Sequence, residues 1–135
     1  MIEQGNEALL PEGWPRPKGY ANGVSACGRQ VYVAGQVGWT PEGTWTSDDF
    51  AEQARLALAN VAAVLRAGGA KPEHIVRMTW YVTNKREYLA AGRAIGAAFR
   101  EIIGHWDIAM TAVEVTALME DRAKVEIEVT AVVRD

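Results

Sequence analysis

The chain has 135 residues, 49% of them hydrophobic, which matches one globular domain with a proper core and predicts a single domain over residues 1–135. Its 17 acidic and 14 basic residues are scattered, Cys27 is the one cysteine, and His74 and His105 are far apart; these features exclude a nucleic-acid footprint, an internal disulfide and a metal-ligand spacing. The N-terminus lacks the basic and apolar regions of a signal peptide, and no apolar run approaches the roughly 20 residues of a membrane span, so a soluble, cytoplasmic protein is expected, binding neither nucleic acid nor membrane.

Residues 1–22 contain Pro11, Pro15 and Pro17 with several glycines and predict an extended N-terminal arm. From Gly23 to Gly38, "GVSACGRQVYVAGQVG" shows two apolar runs separated by Gly28-Arg29, which predicts a β-hairpin whose second strand ends near Gly35 and Gly38. A polar, turn-rich stretch then leads to Asp49, an N-cap with Glu52 three residues on. Behind it Phe50, Ala54, Leu58, Val61 and Leu65 recur at helical spacing, and Gly68-Gly69 supplies the stop. The segment "EHIVRMTWYVT" alternates Val76, Met78, Trp80 and Val82 against Arg77, Thr79 and Tyr81, the pattern of a strand. Asn84 with Glu87 opens a second helix that runs to Gly104, lined on one side by Tyr88, Ala91, Ile95, Phe99 and Ile102. "IAMTAVEV" (residues 108–115) and "RAKVEIEVTAVV" (122–133) close the chain as two strands.

The predicted order is ββαβαββ, an α+β layer with a mostly antiparallel sheet and both helices on one face. The other sheet face carries Ala, Thr and Val amid a few charges. It is too apolar to be simply wet, so a homo-oligomer is expected.

The blocks "GYANGV", "VYVAGQVG", "EQARLALANVAAVLRAGGAKPEHIVRMTWYVTNKREY" and "VEVTALMEDRAKVEIEVTAVV" resemble the RidA/YjgF family from about Lys18 onward. The resemblance implies a chorismate-mutase-like protomer assembled as a homotrimer with clefts between subunits. It further implies hydrolytic deamination of small enamines and imines, the breaking of a C=N bond by water without metal or organic cofactor. Members of that family place an arginine in a P-A-R-S/T-x-V-E-V pattern to hold the substrate carboxylate. Anchored on Val113-Glu114-Val115, this chain has Ile108, Ala109 and Met110 there, so the arginine is replaced by methionine. The family's asparagine and tyrosine of the second helix appear as Gly92 and Ile95, whereas Tyr20, Gly35-Gln36 and Glu126 keep the family types.

Each candidate has two readings. Hydrolysis of an imine needs a group that orients or deprotonates water, a role Glu126 can fill; alternating strand carboxylates are equally read as solvated charges paired with a neighbour such as Lys124. Tyr20 closes over a ligand or anchors the arm. Gly35 and Gln36 bring backbone close to a ligand or simply end a strand. Met110 with Thr111 forms an apolar, hydroxyl-bearing pocket wall, or Met110 fills a gap in the core. Trp39, near Trp45, roofs a cleft or packs on the first helix. With Met110 in place of arginine, 2-aminoacrylate itself is not the expected substrate, unless another cation substitutes; Arg16, Lys18, Arg93 and His105 are the alternatives spacing leaves open. The competing reading is a non-catalytic trimer that binds a small ligand or a regulatory partner.

Overall fold

The computed structural model describes residues 6–135. Strands β1 (Glu7–Leu9) and β2 (Gly23–Ser25) form a small antiparallel pair. Strand β3 (Arg29–Val37), helix α1 (Phe50–Ala67), a short 3-10 turn (Pro72–His74), strand β4 (Ile75–Val82), helices α2 (Lys85–Ala90) and α3 (Gly92–Ile102), strand β5 (Ala109–Glu114) and strand β6 (Val125–Val133) complete the order. The main sheet runs β3-β6-β4-β5, antiparallel except for the β4–β5 pair. This is an α+β arrangement in which β6 is inserted between two strands that run the same way.

The centre of the sheet goes to the strand with the most regular apolar alternation. Val125, Ile127, Val129, Ala131 and Val133 of β6 are all buried and meet Met78, Trp80 and Val82 of β4 beneath α1. Strand β5, whose residues from Thr111 to Glu114 are exposed, takes the edge. The two closing strands are therefore not neighbours. Since β5 is parallel to β4, the chain must cross over between them, and α2 and α3 make that crossover.

Two expectations are corrected here. The hairpin around Gly28-Arg29 does not form, because Arg29 is already the first residue of β3. It pairs with Val133, and its side chain binds Asp135 and the Gly68 carbonyl, while β2 joins β1 instead. The expected second helix is two: the chain leaves helical geometry at Ala91 (φ −90°, ψ 8°), just before Gly92, a residue with little helix preference. The predicted arm falls partly on residues 1–5, outside the described residues; from residue 6 to 22 it carries β1 and no helix.

Helix α1 begins as predicted, with the Asp49 carboxylate accepting from the Glu52 amide at 3.0 Å, and it stops at Gly68 and Gly69, the latter at φ +72°. Asp49→Ala is expected to lower stability by about 1 kcal/mol in urea denaturation, the ordinary cost of losing an N-cap. Two polar side chains of α1 are buried and hydrogen-bonded to backbone. Gln53 donates to the Ser47 and Arg122 carbonyls and accepts from the Lys124 amide; Asn60 donates to the Val37 and Trp39 carbonyls. They fasten the loops entering β6 and leaving β3 to the helix. Gly38 is needed for the same packing, since a Cβ there would lie 2.5 Å from Gln53 Cα.

Candidate functional site

The residues singled out from sequence do not form one site within the chain. Tyr20 and Met110 line a cleft of about 770 Å³ on the helix side of the β5 edge. Gly35, Gln36 and Glu126 lie together where β3 meets β6. Thr111 does not share a wall with Met110, because successive residues of a strand point to opposite faces. Met110 packs toward the core, opposite Met78, whereas Thr111 is exposed and paired with Thr79. Trp39 lines neither this cleft nor the shallower hollow on the open sheet face; its ring packs against Trp45 at 5.5 Å between centroids, and its carbonyl receives Asn60.

Around Glu126, β3 carries one extra residue between Val33 and Gln36, a bulge opposite the Val129-to-Ile127 step of β6. The Gln36 side-chain amide donates back to the Ala34 carbonyl at 3.0 Å, across that bulge. Gly35 is there for its missing side chain. A Cβ would overlap the Glu126 carboxylate and stand 2.7 Å from its Cδ and 2.8 Å from its Cγ. The glycine thus makes room for the carboxylate itself. Glu126 is half-buried, and its side chain makes no hydrogen bond or ion pair among the described residues. The expected pairing with Lys124 is not made, because Lys124 reaches Glu87 at 3.3 Å instead.

Glu128, next on the same face, accepts from the Tyr81 hydroxyl at 2.6 Å. That bond raises the Tyr81 phenol above its usual range, with help from desolvation and from the negative charges of Glu128 and Glu126. Tyr81 thus stays a donor at neutral pH, and Glu128 is occupied while Glu126 is not. Tyr32, Ala34, Arg77, Thr79 and Thr130 surround this pair on the open face, with Tyr32 69% exposed.

The second cleft is built differently. Gly19, at φ +82°, turns the chain so that Ala21 lies against β5, its amide donating to the Ile108 carbonyl at 2.8 Å; this sets Tyr20, 45% exposed, at the mouth. Trp80, Tyr88, Ile95, Phe99 and Met110 supply apolar wall. Tyr88 is partly desolvated, which pushes its phenol up and keeps it neutral. Trp106 stands at the rim, its indole N–H donating to the Ile103 carbonyl at 2.6 Å beside Gly104. Of the cations left open from sequence, Arg16, Lys18 and His105 line this cleft and Arg93 does not. Arg100 lines it too and escaped notice in the sequence, although its spacing of four from Gly96 and eight from Gly92 was the available signal.

Among the described residues no three His, Cys, Asp or Glu side chains converge as a metal-holding group, and no helix is long and apolar enough to cross a membrane. The family described as Endoribonuclease L-PSP matches residues 15–133. The 2-iminobutanoate/2-iminopropanoate deaminase of Escherichia coli K12 is 34% identical over 115 residues, covering 85% of this chain and 88% of that one. Among solved structures, the Rid-family protein YyfB from Yersinia pestis superposes with a TM-score of 0.84 at 31% identity, covering 96% of this chain and all of that one. Escherichia coli TdcF with bound serine gives 0.68 at 29%, over 93% and 98% of the two chains.

Proposed function

Because the chain belongs to the RidA/YjgF family, the one described as Endoribonuclease L-PSP, we propose that it is a cofactor-free deaminase that hydrolyses a small enamine or imine. The observation that carries this reading is Glu126: a half-buried carboxylate without a partner among the described residues, for which Gly35 leaves the room. In the proposed reaction Glu126 takes a proton from water as its oxygen bonds to the C=N carbon. Glu126 returns that proton to the nitrogen, giving a neutral carbinolamine, and then relays the remaining hydroxyl proton to the nitrogen as the C–N bond breaks, ammonia leaves and the C=O bond forms. One imine and one water become one carbonyl compound and one ammonia.

Tyr20 and Met110 lie on a different part of the surface from Glu126, so a complete site takes two copies of the chain: the cleft of one subunit facing the Glu126 and Gly35-Gln36 corner of a neighbour. A homotrimer with three such clefts meets this need and also covers the open sheet face, where Tyr32 and Val113 are exposed. The serine bound to Escherichia coli TdcF supports a ligand of amino-acid size. Thr111 and Trp39, on the open sheet face and the loop after β3, are then contacts of the assembled cleft rather than of the free protomer.

The test follows imines released in situ from amino acids by an amino-acid oxidase, with and without the protein, while light scattering reports the assembly. Faster loss of imine and matching ammonia release are expected from a trimer. A ligand-dependent rise in melting temperature with no acceleration of any imine supports instead the non-catalytic binding trimer, a reading favoured by Met110, Gly92 and Ile95 standing where relatives keep arginine, asparagine and tyrosine.

A further inference from the structure

The cleft beside Met110 is strongly polarised, on a chain whose net charge is −3. Arg16, Lys18 and Arg100 line it, together with His105, against the single carboxylate of Asp107. Outside the cleft Arg29, Arg55, Arg122 and Lys124 pair with Asp135, Glu52, Asp48 and Glu87, while Arg66, Lys85, Arg86 and Arg93 are dispersed single charges without an ion pair among the described residues. The three cleft cations have no hydrogen-bond or ion-pair partner among the described residues. Three uncompensated cations around an apolar floor form a receptor for an anion that also carries a hydrophobic body.

Helix α3 shapes that receptor. Gly92, Gly96 and Arg100 follow one another at four-residue spacing, so they share one stripe of the helix. A Cβ on Gly92 would meet nothing within 4 Å, which means that the absent side chain leaves open space. A Cβ on Gly96 would sit 3.3 Å from Arg100 Nη1, so the guanidinium is laid back along the helix over the glycine. Across the cleft, Met110 occupies the position where relatives carry their arginine. In this chain Arg100, on the facing helix, supplies positive charge to the cleft, and Gly92 leaves open space beside it.

The walls suit a flat, apolar group. Trp80, Phe99 and Trp106 contribute aromatic surface, and Trp106 is held by its hydrogen bond to Ile103. The Trp80 indole N–H is buried and has no acceptor among the described residues. The cleft of one protomer measures about 770 Å³ before a neighbour closes it, within the roughly 300–1,000 Å³ usual for small-ligand sites.

We infer that the cleft selects a 2-imino acid with an aromatic side chain, whose carboxylate is held by Arg100 and whose ring lies against Trp106 and Phe99. This rests on the deaminase reading for the C=N group, while the ligand class stands on the cleft alone. Arg16 and Lys18, at the mouth, draw the anion in.

The probes are phenylpyruvate and pyruvate, the keto acids such hydrolysis would release, titrated into the full chain by calorimetry. Trp80 and Trp106 give a fluorescence readout in parallel. Phenylpyruvate is expected to bind at least tenfold more tightly than pyruvate. Arg100→Ala is expected to raise its Kd about ten- to hundred-fold, the scale of a lost charge-assisted contact, with partial recovery in Arg100→Lys. Gly92→Leu, whose Cβ meets nothing within 4 Å, is expected to weaken phenylpyruvate more than pyruvate. Equal affinity for the two acids, or a folded Arg100→Ala that binds phenylpyruvate like the wild type, overturns the inference.

Kinetics on the imines of phenylalanine and alanine separate the two ideas. Tight phenylpyruvate binding without hydrolysis of either imine removes the deaminase and keeps the ligand class. Equal hydrolysis of both, untouched by Arg100→Ala, does the reverse.

Discussion

Glu126→Gln is expected to leave a folded protein whose kcat/KM for imine hydrolysis is at least a hundredfold lower, because an amide keeps the carboxylate's shape but cannot take the proton from water. A positioned acid–base group typically contributes about 10²–10⁴ in rate. The companion change is Gly35→Ala. Its methyl group takes the space of the Glu126 carboxylate, and a side-chain end yields more easily than backbone, so Glu126 turns away at little cost in stability. Activity should fall nearly as far as in Glu126→Gln, and the double variant should be no worse than either alone, since both remove the same proton acceptor. Rates within threefold of wild type in a folded Glu126→Gln would take the water-activating role away from this residue.

The largest loss of stability is expected from Gln53→Leu. Gln53 is fully buried, and its amide satisfies three backbone groups at once: the carbonyls of Ser47 and Arg122 and the N–H of Lys124. Leucine fits the volume and strands all three. Three groups at roughly 1–3 kcal/mol each give about 3–9 kcal/mol, and because the three bonds are only part-buried the lower half, about 3–5 kcal/mol, is expected, a large part of the roughly 5–15 kcal/mol that holds a typical domain. Urea denaturation measures it. Hydrogen exchange should show the damage concentrated at residues 47 and 122–124, next to the start of β6. A loss under about 1 kcal/mol would mean that water reaches these groups when the side chain is gone. The glutamine in the "EQARLALAN" block is thus a structural bracket whose service to the site is to fix where β6, and with it Glu126, begins.

The elements legible in the sequence were those fixed by neighbours along the chain. The α1 cap at Asp49, its stop at Gly68-Gly69 and the alternation of β6 depend on spacings of two to four residues and are found, whereas in β4 the alternation holds for Met78, Trp80 and Val82 but an irregularity between Ile75 and Arg77 buries Ile75 in place of Val76, and Thr79 is buried as well. Pairing was another matter. The regular alternation of β6 marks it as a central strand, but which strands flank it, and the choice of β1 rather than β3 as partner for β2, depend on contacts between distant segments that no local pattern expresses. The site divides the same way. Tyr20, Gly35, Gln36, Met110 and Glu126 could be picked out as types in a pattern, but alternation along β5 separates Met110 from Thr111, and the partner of Lys124 lies on α2. Arg100 went unseen because an arginine late in an exposed helix reads as a solvated charge until the glycines one and two turns before it are seen to clear its path.

The separation of Met110 and Thr111 onto opposite sides of β5 has an evolutionary consequence. Under the proposed reading, the groups that recognise the substrate's body lie on the helix side of the β5 edge, and the group that handles water lies on the open side at the β3–β6 junction. The two functions are written in different residues with almost no shared packing. Substitutions in the cleft, such as methionine at position 110, can then change which substrate is taken while the hydrolytic corner stays intact.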